Sequence, residues 1–180
     1  MPIKQLYFFN LSLIYHTKKL YIFVYTNVVE TMKTEEILKT DHLKDTKKLV
    51  INIMLCADKA TTMMNESLKP HDISIQQFNV LRILRGQKGT PANLSTIQER
   101  MVNKMSNTTR LVDKLIHKNL VERFVCKKNR RKIEIIITKE GLQLLETLDP
   151  IVDHLENNFS NSITKEELLT LNQILEKVRN

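Results

Sequence analysis

One hundred and eighty residues, 42% of them apolar with only three glycines and four prolines, suffice for one domain with a core and are too poor in turn residues for an all-β fold. Two cysteines exclude a disulfide scaffold and point to a reducing compartment, here the cytoplasm. The net charge of +8 is unevenly held: residues 90–140 carry 12 Lys/Arg against 5 Asp/Glu, whereas residues 141–180 carry 3 against 7, a division that solubility alone would not require.

Residues 1–31 hold seven of the ten aromatic side chains. Two apolar runs, 6–15 and 20–29, are split by Lys18 and Lys19, and each is too short to span a bilayer. No small-residue cleavage site follows the basic start. A membrane-surface segment is one reading. The preferred one is an extension outside the functional domain, which would then begin at Met32.

Residues 40–68 read as a first long helix, with Thr40 or Asp41 as its cap. Leu49, Ile53, Cys56, Ala60, Met63 and Met64 recur on one side. Val50, Ile51 and Leu55 widen that stripe beyond what one helix needs to meet its own domain. Cys56, in this apolar stretch, is expected to be buried. Lys69-Pro70-His71-Asp72 ends the helix. Ser74 caps the next one, whose buried side is Ile75, Phe78, Val80, Leu81 and Leu84, and Gly86 closes it. After a turn at Gly89-Thr90-Pro91, residues 93–99 form a short helix with Asn93 or Ser95 as cap and Leu94 and Ile97 facing inward. A linker over 100–105 follows.

From Ser106 to Lys118 the pattern is helical again. Val112, Leu111, Leu115 and Ile116 make the apolar stripe. Ser106, Asn107, Arg110 and Lys114, with Thr109, form a polar, cationic face near the helix start, where side chains can reach base edges and backbone N–H groups can face phosphate. Asp113 and Glu122 read most simply as surface charges of helix and strand, and Asp113, one turn from Arg110, has the spacing to pair with it. Asn119 occupies the helix exit, where it tolerates a left-handed conformation. Two alternating runs, 120–125 and 132–137, then read as strands of a hairpin. Between them Lys127, Lys128, Arg130 and Arg131 put four cations in the six-residue tip 126–131. A charge run is usually a solvated face. Placed after two short helices, however, a basic hairpin has the order of a DNA-binding winged helix. Thr138 opens another long helix with Leu142, Leu144, Leu145, Leu148, Val152 and Leu155 as apolar positions and Pro150 as a kink. Thr164 and Glu167 form a capping box for the last helix, apolar at Leu168, Leu171, Ile174, Leu175 and Val178.

No nucleophile–base arrangement, carboxylate pair, metal-spaced Cys/His cluster or phosphate loop stands in the chain, so neither an enzyme nor a cofactor is expected.

The run SNTTRLVDKLIHKNLVER, then NRRKIEIIIT followed by Lys139-Glu140-Gly141 and Leu144-Leu145, and the upstream ISIQQFNVLRIL resemble the MarR family of bacterial winged-helix regulators, over residues 44–179. The resemblance implies a mostly α fold with a small β-hairpin. It would be a winged helix-turn-helix over about residues 72–138, carried by dimerisation helices over 40–68 and 139–179. It further implies a homodimeric transcription regulator that binds a pseudo-palindromic operator in double-stranded DNA, with base contacts from Ser106, Asn107 and Arg110 and a minor-groove Arg131. Family members often sense a small aromatic acid, a phenolic compound or an oxidant in a crevice beside the dimer helices. Met54, Met63, Met64 and Phe78 are candidates for its lining, with plain core packing as the alternative. The chain departs from the family pattern at Asn129, where many members carry an acidic residue, and at Asn119, where many carry glycine. A winged-helix module that binds protein or RNA is the alternative reading.

Overall fold

The computed structural model describes residues 32–125 and 133–180. The wing tip and residues 1–31, with the expectations placed on them, lie outside the described residues. The chain divides into two compact units, residues 1–57 and 58–180, and no described helix is long and apolar enough to cross a membrane.

The first unit holds α1 (Thr34–Ile37) and the beginning of α2 (Asp45–Leu68). The long helix expected from Thr40 starts five residues later. Lys39 takes a left-handed φ of 50°, which interrupts the helical path. The Thr40 hydroxyl turns to the carbonyl of His42 at 3.4 Å, a local bond that competes with capping. Within this unit the Thr34 hydroxyl meets the Asn52 side chain, and Lys48 pairs with Glu35 at 2.8 Å. Leu49, Val50, Met54 and Leu55 remain exposed. So does Cys56, against the expectation that it would be buried.

In the second unit, α2 ends in a 3-10 turn, Lys69–His71, that contains Pro70. Asp72 then adopts a φ of 54° to redirect the chain. Next comes α3 (Ile75–Arg85), followed by α4 (Leu94–Arg100), α5 (Thr108–His117), β1 (Val121–Val125), β2 (Ile133–Ile137), α6 (Lys139–Phe159) and α7 (Lys165–Arg179). The caps explain the starts. Ser74 and Gln77 close a reciprocal box on α3, Asn93 accepts from the backbone of Thr96 at 2.8 Å, and Thr164 and Glu167 close a second box on α7. Gly86 caps α3 in ordinary right-handed geometry. The left-handed residues are Lys88 and Gly89, farther along the turn.

The hairpin pairs antiparallel, with Val121 opposite Ile137 and Val125 opposite Ile133. Ala92 adds one further pair to β2: it donates to Ile135 at 2.9 Å and accepts from it at 2.8 Å. A single pair has no alternation, so nothing in the sequence pattern announces it. The core gathers Leu68, Phe78, Val80, Leu81, Leu84, Ile97, Met101, Val112, Leu115, Ile135, Leu145 and Leu148. At its centre, α3 packs against α5, α6 and β2. Arg85 and Asp149 join α3 to α6 through two hydrogen bonds. Pro150 lies within the continuous α6, and Leu142, expected inside, is 37% exposed. No residue of α7 is buried.

The start of α6 is seated on the residues that follow α5, Asn119 and Leu120. Thr138 caps α6 by accepting from the Gly141 backbone at 3.0 Å and donates its hydroxyl to the carbonyl of Asn119 at 2.9 Å. A β-carbon on Gly141 would lie 2.3 Å from the carbonyl oxygen of Leu120 and 2.7 Å from Ile137. Backbone cannot yield cheaply there. Gly141→Ala is therefore expected to destabilise by about 1–2 kcal/mol net, overpacking outweighing the better helix propensity of alanine. Denaturant unfolding checks this, and an unchanged midpoint would mean that α6 can move off Leu120 freely.

Candidate nucleic-acid interface

The buried side of α5 is Thr108, Val112 and Leu115, which recur at helical spacing and lock the helix into the core. The opposite side presents Thr109, Arg110, Lys114 and His117 to solvent. Ser106 and Asn107 precede the helix proper. Asn107 is its cap: its side-chain oxygen accepts from the Arg110 backbone at 3.0 Å. That oxygen is therefore engaged in the fold, which leaves the amide nitrogen as the atom able to donate to a ligand.

Four of the residues expected to touch DNA are brought together. Ser106, Asn107, Arg110 and Lys114 line one shallow depression of about 480 Å³, joined by Ser74, Gln76, Asn103 and Leu111. Thr109 is exposed but does not line that depression. Gln76 and Asn103 carried no signal in the sequence. Gln76 resembles any polar position on α3, and Asn103 resembles any turn asparagine. Lys127, Lys128, Arg130 and Arg131 lie outside the described residues.

The exit of α5 is a Schellman turn, with Leu120 donating to Leu115 at 3.0 Å and Asn119 to Ile116 at 2.9 Å. Asn119 takes a φ of 57°, the left-handed conformation expected of it. Asp113 does not brace Arg110. It lies 2.9 Å from the Arg123 guanidinium on β1, out of line for a hydrogen bond, and so ties helix to wing by charge alone. The wing strand offers a cation closer to Asp113 than the outward-pointing Arg110 can come.

A second cavity, of about 630 Å³, opens beside the first, farther along the same helix. Leu111, Lys114, His117 and Lys118 of the α5 region face Asn65, Lys69, Asp72, Ile73, Ser74 and Gln77. Lys118 pairs with the Asp72 carboxylate at 2.8 Å and also donates to the Asp72 carbonyl. The hydrogen bond from Lys118, assisted by its charge and that of Lys114, holds the Asp72 carboxyl below its ordinary range. What the pair adds is therefore present at neutral pH and is lost only as pH falls through that lowered value. Met54, Met63, Met64 and Phe78 line neither cavity. Phe78 is in the core and Met64 packs against it.

A helix-turn-helix, a two-stranded wing and an exposed recognition face are thus on one chain. The MarR family model matches residues 73–133, from the start of α3 to the return strand of the wing. The chain belongs to the MarR family. It is 29% identical over 128 residues to the multiple antibiotic resistance protein MarR of Escherichia coli, covering 70% of this chain and 87% of that protein. It is also 29% identical over 140 residues to the transcriptional repressor MdtR of Bacillus subtilis, covering 76% and 89%. Among solved structures it is similar to a mutant of Escherichia coli MarR complexed with operator DNA, with a TM-score of 0.68, 26% identity, and coverage of 77% of this chain and 99% of that one. Membership places the chain among transcription regulators rather than in an enzyme class.

The double use of Asn107 can be separated. Asn107→Ser keeps a good cap and should leave stability nearly unchanged, whereas Asn107→Ala should cost about 0.5–2 kcal/mol. If both variants unfold together, capping is not what Asn107 contributes. If Asn107→Ser keeps full DNA affinity, its amide nitrogen makes no base contact.

Proposed function

We propose that this MarR-family DNA-binding regulator reads a pseudo-palindromic operator as a homodimer, with Ser106, Asn107 and Arg110 at base edges. The observation that carries the reading is the gathering of Ser106, Asn107, Arg110 and Lys114 on one exposed depression at the start of α5. Among the described residues, no carboxylate stands at ion-pair distance from Arg110, so its fork is available to a guanine edge. Lys114 and the wing cations Lys127, Lys128 and Arg130 suit phosphate. Arg131 suits a narrow minor groove, where negative potential is enhanced.

Dimerisation is supported by apolar faces left uncovered in each unit. Leu49, Val50 and Met54 of α2 and Leu171, Ile174, Leu175 and Val178 of α7 are all exposed. Such surface is costly to leave in water, and a second copy would cover it on both protomers at once. Two recognition helices would then fall in successive major grooves about 10 base pairs apart.

The second cavity supports relief by a small aromatic acid. Lys69, Lys114, Lys118 and His117 offer positive or protonatable groups, and Ile73 and Leu111 offer apolar wall. Ser74, Leu111 and Lys114 line both this cavity and the DNA-facing depression. A carboxylate that drew Lys118 away from Asp72 would act directly on the recognition helix.

Two measurements test this reading. Arg110→Ala should weaken binding to a selected operator by about 1–3 kcal/mol and random duplex hardly at all; equal loss on both would make Arg110 a phosphate contact, and a stable monomer in sedimentation would remove the dimer. Benzoate should weaken operator binding where benzamide does not, and Lys69→Ala with Lys118→Ala should remove that effect. Equal action of the uncharged amide would rule the cavity out as an acid sensor.

A further inference from the structure

The turn before the recognition helix carries two large apolar side chains that the fold does not use. Met105 is 92% exposed and Val102 is 89% exposed, the most open of the large apolar side chains among the described residues. The other exposed apolar residues lie mainly on α2, the wing strands and α7. These two stand apart from all of them: they do not line the depression, but each is the chain neighbour of a residue that does, Val102 of Asn103 and Met105 of Ser106.

Their exposure does not come from a loose turn. The Asn103 side chain accepts from the Met105 backbone at 2.9 Å, and the Asn103 carbonyl accepts from Ser106 at 3.2 Å. Gln98, on α4, holds the middle and the far end of the turn with one amide. Its nitrogen donates to the carbonyl of Lys104, and its oxygen accepts from the hydroxyl of Thr108, the first residue of α5. Lys104 in turn donates back to the carbonyl of Glu99. The turn is thereby tied to the helices on either side; Met105 is presented from a backbone held by these bonds, and Val102 stands next to Asn103, whose side chain makes one of them. Holding them out of the core by polar bonds, in a strongly basic segment, needs a reward elsewhere. In a major groove the group that rewards an apolar side chain is the C5-methyl of thymine. Methionine, unbranched and adaptable, suits such a contact.

We propose that Val102 and Met105 are specificity-determining contacts that read thymine methyl groups in the operator's major groove, with Gln98 as the positioning residue. This rests on the reading above that the start of α5 enters that groove. It adds an apolar component to the hydrogen-bonding one.

The test uses the full chain and the duplex it selects from a random library, prepared once with thymidine and once with deoxyuridine, which lacks only the methyl. The wild type should bind the deoxyuridine duplex about fourfold more weakly for each methyl it covers. Met105→Ala should bind the two duplexes alike, or nearly so, with Val102→Ala intermediate. Gln98→Ala should shrink the methyl penalty while leaving random-duplex binding in place. The proposal is overturned if the wild type binds both duplexes equally, or if the Val102→Ala, Met105→Ala double variant keeps the full penalty. It is also overturned if that double variant changes only the self-association of the free protein, because the pair would then serve a protein contact. Arg110→Ala, run in parallel, separates the two readings. If it loses operator preference while the methyl penalty is absent, only the apolar component fails; if the wild type selects no sequence at all, both fail.

Discussion

The placement of the wing strands against α5 depends on one seam, where the exit of α5 meets the entry of α6. Asn119 turns the chain in the left-handed region, Leu120 caps the helix behind it and accepts from the Thr138 backbone at 3.1 Å, and Thr138 returns its hydroxyl to the Asn119 carbonyl. Everything between those residues is the wing, so one cluster of backbone and hydroxyl bonds sets both where the recognition helix ends and where the hairpin closes. Gly141 lets α6 approach so near that even a methyl group would strike the Leu120 carbonyl. The apolar core supplies most of the driving force, but it is non-directional. The hydrogen bonds of this seam give the wing its orientation relative to α5.

The helix-turn-helix uses the same division on a smaller scale. Ile97 and Met101 from the α4 segment and Val112 and Leu115 from α5 are buried and bring the two helices together. Gln98, Asn103, Thr108 and Asn107 then fix the turn between them through side-chain bonds to backbone or to one another. A recognition surface assembled this way loses little freedom on meeting DNA, which is what preorganisation contributes to binding. The reading of one base over another depends on side chains held in place, and in this turn much of the holding is done by Gln98 and Thr108, from outside the depression at the start of α5.

Charge enters at longer range. The surplus of cations over residues 90–140 and the acidic balance of 141–180 polarise the chain so that one part attracts the phosphate backbone. Three ion pairs among the described residues of the second unit, Arg85 with Asp149, Lys118 with Asp72 and Arg123 with Asp113, use cations other than those at the start of α5. They leave Arg110 and Lys114 outward, where their charge is of use to a ligand.

By itself the sequence determined the local events. The caps at Ser74 and Thr164, the helix starts at Asn93 and Thr138, the left-handed exit at Asn119 and the alternation of Ile133, Ile135 and Ile137 depend on residues a few positions apart, and so they are written in the order of the chain. The polar residues from Ser106 to Lys114 were legible as one face for the same reason. What only the tertiary structure decided depends on residues far apart in sequence. Asp113 turned to Arg123 rather than Arg110, because the strand brings a closer cation than the helix does. Phe78 became core, and Met64 packs against it. Ala92 joined β2 through a pairing with no periodicity to betray it, and Gln98 became the tie of the recognition turn although it resembles any polar helix residue. Helical spacing and capping act over one or two turns of chain, whereas the choice among competing partners is made by distances that exist only once the helices have packed.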